Sequence, residues 1–273
     1  MTTATTTEPG TGFTAHAVEA DGFTVRYHES GEGVPLVVLH GAGGPAFSFA
    51  LDLLAERFRV ILVEMPGFGE QPNDRHQSLA ELAGAVDAIT TALGLDSYHL
   101  LGTSFGGAVA TFVALEHPQR LLSLVLEAPA TFREGETRPS PDMPPQEMLR
   151  RFRRHPERAP AWQPPDPAVM ARAWPLVGRL LGPLPHRDED LVARLADCKV
   201  RTLVVYGDCD GVIPPENGRT FKGAMPNCNY VLIHQAAHDA QADRPEAFAD
   251  LVGDFLARGW AFLLPEESTL VNP

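Results

Sequence analysis

The chain has 273 residues, of which 44% are hydrophobic, and its formal net charge is −13 at pH 7. This length and apolar content are enough for one large core with an inserted segment. The acidic balance argues against a surface for nucleic acid, because binding to phosphates relies on clustered Lys and Arg.

The first segment, residues 1–20, begins MTTATTTEPGTG and lacks a basic region followed by an apolar core. We therefore expect a flexible N-terminal tail, and neither a signal peptide nor a membrane anchor. Every stretch of about twenty residues contains polar or charged side chains, which argues against a bilayer-spanning helix. The three cysteines have no metal-binding spacing, and their odd number predicts reduced thiols in a cytoplasmic protein.

From residue 23 onward, apolar strand patterns alternate with helical patterns. The predicted strands cover 23–30, 35–40, 59–65, 98–103 and 121–129, and the predicted helices cover 46–58, 78–94 and 105–117. Ser78 and Glu81 have the spacing of a capping box, which marks the start of the second helix. This alternation predicts a mostly parallel sheet with helices on both faces.

The composition changes at about residue 131, where Pro and Arg become frequent. Helical patterns between the prolines predict a small helical cap over 131–197, and the alternative is a surface insertion without a function. The alternation then resumes, with strands at 201–208 and 229–236 and helices at 215–225 and 244–259. The core is thus predicted to comprise 21–130 and 198–273.

Residues 102–107 read GTSFGG, and Ser104 stands between a predicted strand and a predicted helix. A Ser at such a turn is often only the N-cap of the helix. The spacing G-x-S-x-G also matches a nucleophile elbow, in which a strained backbone projects the Ser Oγ above the sheet. The motif alone leaves both interpretations open.

A Ser nucleophile needs an imidazole base and a carboxylate that orients the imidazole. Asp208 and Asp210 follow one predicted strand, and His238 follows the next. Doubly wound folds place their sites at the carboxyl ends of such strands. Taken singly, an Asp there could cap a helix and a His could be a solvated loop residue. The chain order Ser, Asp, His indicates a catalytic set.

Five segments resemble landmarks of the cap-bearing α/β-hydrolases in the same order: HGAGG, MPGFGEQP, GTSFGG, GDCDGVIPP and AAHDAQADRPEAF. The resemblance extends from residue 23 to residue 259. It implies an α/β fold with a mostly parallel, doubly wound sheet and an inserted helical cap. It also implies that Ser104 is the nucleophile, His238 the base and Asp210 the acid, with Asp208 as the reserve candidate.

Acyl transfer requires preorganised donors for the oxyanion. The resemblance implies that these are the backbone N–H groups of Phe105 and Ala42, with Gly43 as the alternative to Ala42. His40 is expected to order the oxyanion loop rather than to act as the base, and His234, inside a predicted strand, is also disfavoured as the base. The residues expected around the pocket are His40, Gly43, Phe47, Trp162 and Trp174.

Ser at position 104 disfavours epoxide hydrolases and haloalkane dehalogenases, which attack carbon with a carboxylate. The resemblance leaves esters, thioesters and lactones as small-molecule carbonyl substrates, and also C–C bond hydrolysis of a vinylogous diketone, as in the meta-cleavage-product hydrolases. Asp239 and Ala242 stand where those C–C hydrolases usually carry aromatic residues, and HGAGG differs from their usual G-P-G turn. An ester hydrolase is therefore the first hypothesis, and perhydrolysis is a weaker one.

A non-catalytic ligand receptor on the same fold is the hypothesis from a different functional class. A Rossmann dehydrogenase is disfavoured, because no G-x-G-x-x-G follows the first apolar strand. We expect no cofactor, no metal and no nucleic-acid or membrane partner, and a homodimer is an open alternative to a monomer.

The run RRFRRHPER begins at residue 150 and places five arginines in an acidic chain. These are Arg150, Arg151, Arg153, Arg154 and Arg158. Either they pair with acidic residues of the main domain, or one of them points inward and binds a substrate carboxylate through two parallel hydrogen bonds.

Overall fold

The computed structural model describes residues 8–136, 143–157 and 167–262. The strands are β1 (Thr14–Ala20), β2 (Phe23–Ser30), β3 (Pro35–Leu39), β4 (Arg59–Val63), β5 (Tyr98–Thr103), β6 (Leu121–Glu127), β7 (Thr202–Gly207) and β8 (Cys228–Ile233). The helices are α1 (Phe49–Ala55), α2 (Leu79–Ala92), α3 (Phe105–Glu116), α4 (Pro145–Phe152), α5 (Pro167–Leu181), α6 (Glu189–Leu195), α7 (Asn217–Ala224), α8 (Ala240–Asp243) and α9 (Pro245–Arg258).

These strands form one sheet in the order β1-β2-β4-β3-β5-β6-β7-β8. Strand β2 pairs antiparallel with both β1 and β4, and the pairs from β4 to β8 are parallel. The carboxyl ends of β5, β6, β7 and β8 therefore lie at one edge of the sheet. The predicted α/β fold with a mostly parallel sheet is confirmed.

The central strands are buried on both faces, which explains their continuous apolar sequences. Along β3, Val37 and Leu39 face a core that contains residues of α2 and α3. Leu36 and Val38 face a second core that contains residues of α1 and α9. Alternate side chains of one strand thus serve opposite layers, as the period of two in a strand requires.

The N-terminal segment differs from the prediction. Residues Thr14–Ala20 form β1, so the predicted flexible tail over 1–20 is wrong for this part. Asp21 and Gly22 make the turn into β2 with φ of 52° and 79°. Two successive positive φ values are typical of a tight hairpin, and Asp-Gly is a favoured sequence for it. That dipeptide was the signal that the sequence offered for a hairpin.

Helix α2 begins where its capping signature predicts. Ser78 Oγ accepts a hydrogen bond from Glu81 N at 3.2 Å. Glu81 Oε2 accepts a hydrogen bond from Gln77 N at 2.7 Å, so the acid also serves the residue before the N-cap. The N-cap prediction is confirmed, and helix α2 starts at Leu79.

Helices α4, α5 and α6 lie in the segment between β6 and β7. Helix α5 places Ala173, Leu176 and Val177 in the same core as α2 and α3. Two arginines of α5 bind backbone carbonyls of the loop after β4: Arg172 Nε donates to Gly69 O at 3.0 Å, and Arg179 Nε donates to His76 O at 3.1 Å. The inserted segment is therefore attached to the main domain by apolar packing and by hydrogen bonds.

Candidate active site

Ser104 occupies a strained turn between β5 and α3. Its backbone has φ 53° and ψ −112°, and its side chain makes no capping hydrogen bond to α3. Its N–H donates to Glu127 O at 2.8 Å, and its carbonyl accepts from Ala130 N at 2.9 Å. A positive φ at a residue other than Gly is uncommon and costs about 1–2 kcal/mol. Ser104 thus has the strained backbone that the elbow hypothesis predicts, and it occupies the N-cap position of α3 without a side-chain cap.

Close contacts around Ser104 leave no room for a side chain at the neighbouring glycines. A Cβ at Gly102 would lie 2.5 Å from Gly106 O, and one at Gly106 would lie 2.3 Å from Leu39 O. A Cβ at Gly107 would lie 2.8 Å from Pro129 Cβ. Strand β5, helix α3 and the end of β3 thus approach more closely than any side chain permits, which explains the small residues of GTSFGG.

The glycine turn after β3 lies beside Ser104. Gly44 N donates to Gly41 O at 3.2 Å, so Ala42 and Gly43 occupy the centre of a turn. A Cβ at Gly41 would lie 3.6 Å from Ser104 Cβ. Phe105 is the first residue of α3, so its N–H has no acceptor within the helix. Both predicted oxyanion segments therefore flank the elbow.

His40 is engaged by backbone groups on both sides of its ring. Met65 N donates to His40 Nε2 at 3.1 Å, which places the ring proton on Nδ1, 2.7 Å from Gly41 O. Burial lowers the pKa of His40 to about 4, although the hydrogen bond to Gly41 opposes the shift. A neutral His40 with both nitrogens in use connects the loop after β4 to the glycine turn, as expected of a residue that orders this loop.

Asp210 and His238 form a buried pair. His238 Nδ1 donates to Asp210 Oδ2 at 2.9 Å, and the side chains are 6% and 0% exposed, respectively. Asp210 Oδ1 accepts from Val212 N at 2.8 Å and from Ile213 N at 3.0 Å. Burial lowers the pKa of His238, but the charge and hydrogen bond of Asp210 outweigh burial, so the net shift is upward. The carboxylate is thus fixed and orients the imidazole.

Asp208 has different partners. Its Oδ2 lies 2.7 Å from Nδ1 of the exposed His234, and its Oδ1 accepts from Gln235 N at 2.8 Å. Burial raises the pKa of Asp208. The hydrogen bonds from His234, Cys209 and Gln235 together lower it by more, so the net shift of the pKa is downward. This carboxylate stabilises the loop after β8 rather than the candidate base.

Glu127 at the end of β6 was missed in the sequence. It is fully buried, and its carboxylate accepts from Thr103 Oγ1 at 2.7 Å, from Gln241 N at 2.9 Å and from Gln241 Nε2 at 2.7 Å. Thr103 precedes Ser104, and Gln241 lies three residues after His238. The one available signal was a charged residue at the end of the apolar run LLSLVLE.

The inserted segment reaches the base loop through the end of α4. The ring of Phe152 meets that of His238 edge-on, with centroids 5.6 Å apart. Asp239 N donates to Phe152 O at 2.9 Å, and Asp239 Oδ2 lies 2.9 Å from Arg153 Nη2. Asp243 accepts from Arg154 N at 2.7 Å. Four contacts from three consecutive residues, 152–154, thus place this segment directly against the loop that carries His238.

The predicted pocket residues have separate environments. Phe47 packs against Phe13 and His28, with centroid distances of 5.2 and 5.1 Å, which associates it with the N-terminal hairpin. Trp174 is 57% exposed on α5. Trp162 lies outside the described residues. Among the described residues, no ring contact joins Phe47 or Trp174 to Phe105 at the Ser104 elbow.

In the described part of the arginine run, Arg153 meets the pairing interpretation. Arg153 pairs with Asp239, and Arg151 Nε donates to Gly211 O at 2.6 Å, in the loop after Asp210. Arg150 and Arg154 have exposed side chains. Arg158 lies outside the described residues. Two of the arginines therefore fasten α4 to the two loops that carry the candidate acid and base.

Three properties of the described residues bear on other functions. In residues 8–136, 143–157 and 167–262, no helix has the length and apolarity needed to cross a membrane. In the same part of the chain, no three His, Cys, Asp or Glu side chains are grouped to hold a metal ion. An open pocket of about 470 Å³, lined by Leu122, Val200 and Trp260 among others, lies at the amino ends of β6 and β7, opposite the elbow.

Comparison with known proteins agrees with this geometry. The chain is 28% identical to a 2-hydroxy-6-oxo-6-phenylhexa-2,4-dienoate hydrolase of Burkholderia cepacia, covering 87% of this chain and 92% of that protein. It is 32% identical to a pimeloyl-[acyl-carrier protein] methyl ester esterase of Yersinia enterocolitica, covering 82% and 94%. A serine hydrolase involved in carbazole degradation has a similar structure, with a TM-score of 0.74, 23% identity and coverage of 89% and 98%.

The α/β hydrolase fold family matches residues 34–170, a span that contains the glycine turn and the Ser104 elbow. Together with the parallel sheet, the strained Ser and the relatives named as hydrolases, this match shows that the chain belongs to the α/β hydrolase fold family and is a hydrolase of that fold.

Proposed function

We propose that this hydrolase is a cofactor-free serine hydrolase that cleaves an ester, thioester or lactone of small or medium size, with Ser104, His238 and Asp210 as its catalytic triad. One observation carries the proposal. A Ser with a strained, uncapped backbone lies at the same sheet edge as a buried His–Asp pair. A helix cap needs neither the strain nor the buried pair, whereas an elbow nucleophile uses the strained turn to expose its Oγ and the buried pair as its base and orienting acid.

In the proposed reaction, Ser104 Oγ attacks the carbonyl carbon while His238 Nε2 accepts the hydroxyl proton. The imidazolium that forms is stabilised by Asp210, which holds Nδ1–H at 2.9 Å and thereby fixes the tautomer. His238 then returns the proton to the leaving oxygen or sulfur, and an acyl-enzyme remains. Water, deprotonated by His238, attacks the acyl carbon and regenerates Ser104.

The negative oxygen of each tetrahedral intermediate needs donors that are already oriented. Phe105 N–H, at the positive end of α3, and Ala42 N–H, at the centre of the glycine turn, are the proposed donors. Gly43 N–H is the alternative to Ala42. His40 supports this arrangement because it binds Gly41 O and Met65 N, which holds the turn in place.

We propose that residues 131–197 serve as a cap over this site. The support is the position of Phe152 against His238 and the hydrogen bonds of α4 to the loops after β7 and β8. An apolar cover would lower the local dielectric and strengthen the interactions that stabilise the transition state. The predictions of a cytoplasmic location and of a homodimer stay predictions.

C–C bond hydrolysis of a vinylogous diketone is the second candidate. It is favoured by the similarity to proteins named 2-hydroxy-6-oxo-6-phenylhexa-2,4-dienoate hydrolase. The position after the candidate base is Asp239, paired with Arg153, where an aromatic residue would be expected for that activity. This charged pair beside His238 favours the ester class.

The test is intact-mass analysis after treatment with a fluorophosphonate probe. We expect one adduct on the wild-type protein and on Ser97→Ala, because Ser97 is exposed and precedes β5, at the opposite end of that strand from the elbow. Ser104→Ala should form none and should lose roughly a million-fold in turnover of an activated ester, the loss seen when a triad nucleophile is removed elsewhere. Equal labelling of Ser104→Ala and wild type would contradict the proposal.

A substrate screen separates the remaining classes. Activated esters of increasing acyl length and one vinylogous diketone should be compared at equal enzyme concentration. Turnover of the esters alone supports the first candidate, and faster loss of the diketone chromophore supports the second. A protein that binds these compounds but neither labels nor turns over would be a ligand receptor on this fold.

A further inference from the structure

We propose that Glu127 is a positioning residue: it ties the loop of the candidate base to the strand of the candidate nucleophile, and its negative charge sets the pH at which His238 can accept a proton. This inference rests on the proposed function, because it assigns His238 the role of base. It adds a residue that lies outside the triad and outside the oxyanion hole.

The geometry joins elements that are distant in sequence. Glu127 accepts one hydrogen bond from Thr103, directly before Ser104, and two from Gln241, in α8 after His238. Gln241 Nε2 also lies 3.2 Å from Thr103 Oγ1. The carboxylate therefore holds the base loop against the end of β5, so movement of one would be transmitted to the other.

The network continues to the start of α1. Ser48 Oγ donates to Gln241 Oε1 at 2.8 Å, and the same Oγ accepts from Leu51 N at 3.2 Å as the N-cap of α1. Every polar atom of the Gln241 side chain is thus engaged. Buried networks of this kind are rigid when fully satisfied, because breaking one bond leaves a buried polar group without a partner.

Neighbouring carboxylates act on both His238 and Glu127. His238 is influenced by Asp210, Glu127 and Asp239, all of which raise its pKa against the opposing effect of burial. Burial, reinforced by Asp239, raises the pKa of Glu127 to about 7, while the bonds from Thr103 and Gln241 oppose the rise. Asp239 is in turn faced by Arg153, His238 and Asp243. Glu127 therefore changes charge in the range where His238 works.

The experiment is the pH dependence of fluorophosphonate labelling of Ser104, which reports on His238 without a known substrate. In wild type the rate should rise as His238 loses its proton. In Glu127→Gln the midpoint of this rise should move to lower pH by about half a pH unit, since one nearby negative charge is gone. Glu127→Asp keeps the charge, so its midpoint should stay with wild type even where its stability is reduced.

A purely structural role predicts a different result: Glu127→Gln would lower the labelling rate equally at every pH and leave the midpoint unchanged. That result would overturn the inference. If Glu127→Gln fails to fold, Thr103→Val replaces it, because this near-isosteric change removes one donor, favours the protonated carboxyl and should also shift the midpoint downward. Absence of labelling in wild type would instead refute the proposed function itself.

Discussion

Asp210 and His238 lie with Oδ2 and Nδ1 2.9 Å apart, and both side chains are almost completely shielded from water. Asp208, two residues earlier on the same loop, faces His234, whose side chain is 81% exposed. Burial strengthens a charge-assisted hydrogen bond, whereas exposure weakens it. The two carboxylates therefore differ in what they can do for an imidazole, although the sequence places them side by side.

This contrast predicts different outcomes for two matched substitutions. Asp210→Asn should reduce turnover of an activated ester by about ten-thousand-fold, the benchmark for this change in another triad enzyme, because an amide no longer fixes the His238 tautomer. Asp208→Asn should retain turnover within about threefold, since its hydrogen bonds serve the loop. The measurement is kcat at saturating ester. A severe loss at position 208 and a mild one at 210 would transfer the acid role to Asp208.

A second prediction concerns the tight contact beneath the elbow. Gly106→Ala should destabilise the protein by several kcal/mol or prevent folding, because the new Cβ would stand 2.3 Å from Leu39 O and 2.5 Å from His40 O. Gly84→Ala on α2 is the matched control, since nothing lies within 4 Å of its Cβ. The control should gain about 0.5–1 kcal/mol from helix propensity.

Urea unfolding monitored by circular dichroism measures the change in the free energy of unfolding for both variants. Similar stabilities for the two variants would mean that β3 and α3 can separate without cost. The close approach would then not explain the glycine at position 106.

Much of the fold follows from the sequence because its signals are local. Buried parallel strands such as β3 and β7 have continuous apolar sequences, and α2 has its capping residues within four positions. The rule that parallel strands end at one edge placed Asp208, Asp210 and His238 together, and the choice of Asp210 rested on the resemblance to the α/β-hydrolases. The structure then brought Asp210 and His238 into contact, across 28 residues of sequence.

The rest depends on contacts that no local pattern encodes. Glu127 and Gln241 are 114 residues apart, and Ser48 and Gln241 are 193 apart. Each of these residue types is ordinary where it stands, and only the folded sheet brings them together. The hairpin at Asp21 had a local signal, but the exposed residues of β1 gave a polar pattern typical of a tail.

A third prediction addresses the arginines of the inserted segment. The Arg153 and Asp239 side chains are 15% and 28% exposed, and their ion pair holds the end of α4 beside His238. Arg153→Gln should lower the free energy of unfolding by about 1–2 kcal/mol and increase proteolysis near α4, since Asp239 loses its partner. Arg150→Gln, on the exposed face of α4, should change stability by less than about 0.5 kcal/mol.

The same two variants also test the alternative that an arginine binds a substrate carboxylate. Because the Arg153 guanidinium is already bonded to Asp239, Arg153→Gln should affect a neutral ester and a carboxylated analogue equally. A loss confined to the carboxylated analogue would show that an arginine of this run recognises the substrate.

The fourth prediction is the pH dependence of stability. The pKa of Glu127 is raised by burial from 4.5 to about 7, so the folded state holds this proton more tightly than the unfolded state does. Its contribution to the free energy of unfolding should therefore fall as pH rises from about 4.5 to about 7. Relative to wild type, Glu127→Gln should gain stability over this range, up to roughly 3 kcal/mol at ~1.4 kcal/mol per pKa unit.

Burial of His99 should give stability the opposite pH dependence, because the pKa of His99 is lowered rather than raised. Burial, with a smaller effect from Arg201, lowers the pKa of His99 from 6.5 to about 4, and its Nδ1 lies 2.8 Å from Ser123 Oγ. The unfolded state therefore binds the proton more tightly, and stability is present above about pH 6.5 and lost as pH falls towards 4. His99→Gln should therefore lose the least free energy of unfolding, relative to wild type, at low pH.

Unfolding free energies of wild type, Glu127→Gln and His99→Gln at pH 4.5, 5.5, 6.5 and 7.5 measure the pH dependence of both effects. Parallel slopes for the two variants would mean that at least one group lacks the assigned shift, because burial raises the pKa of a carboxyl group and lowers that of an imidazole.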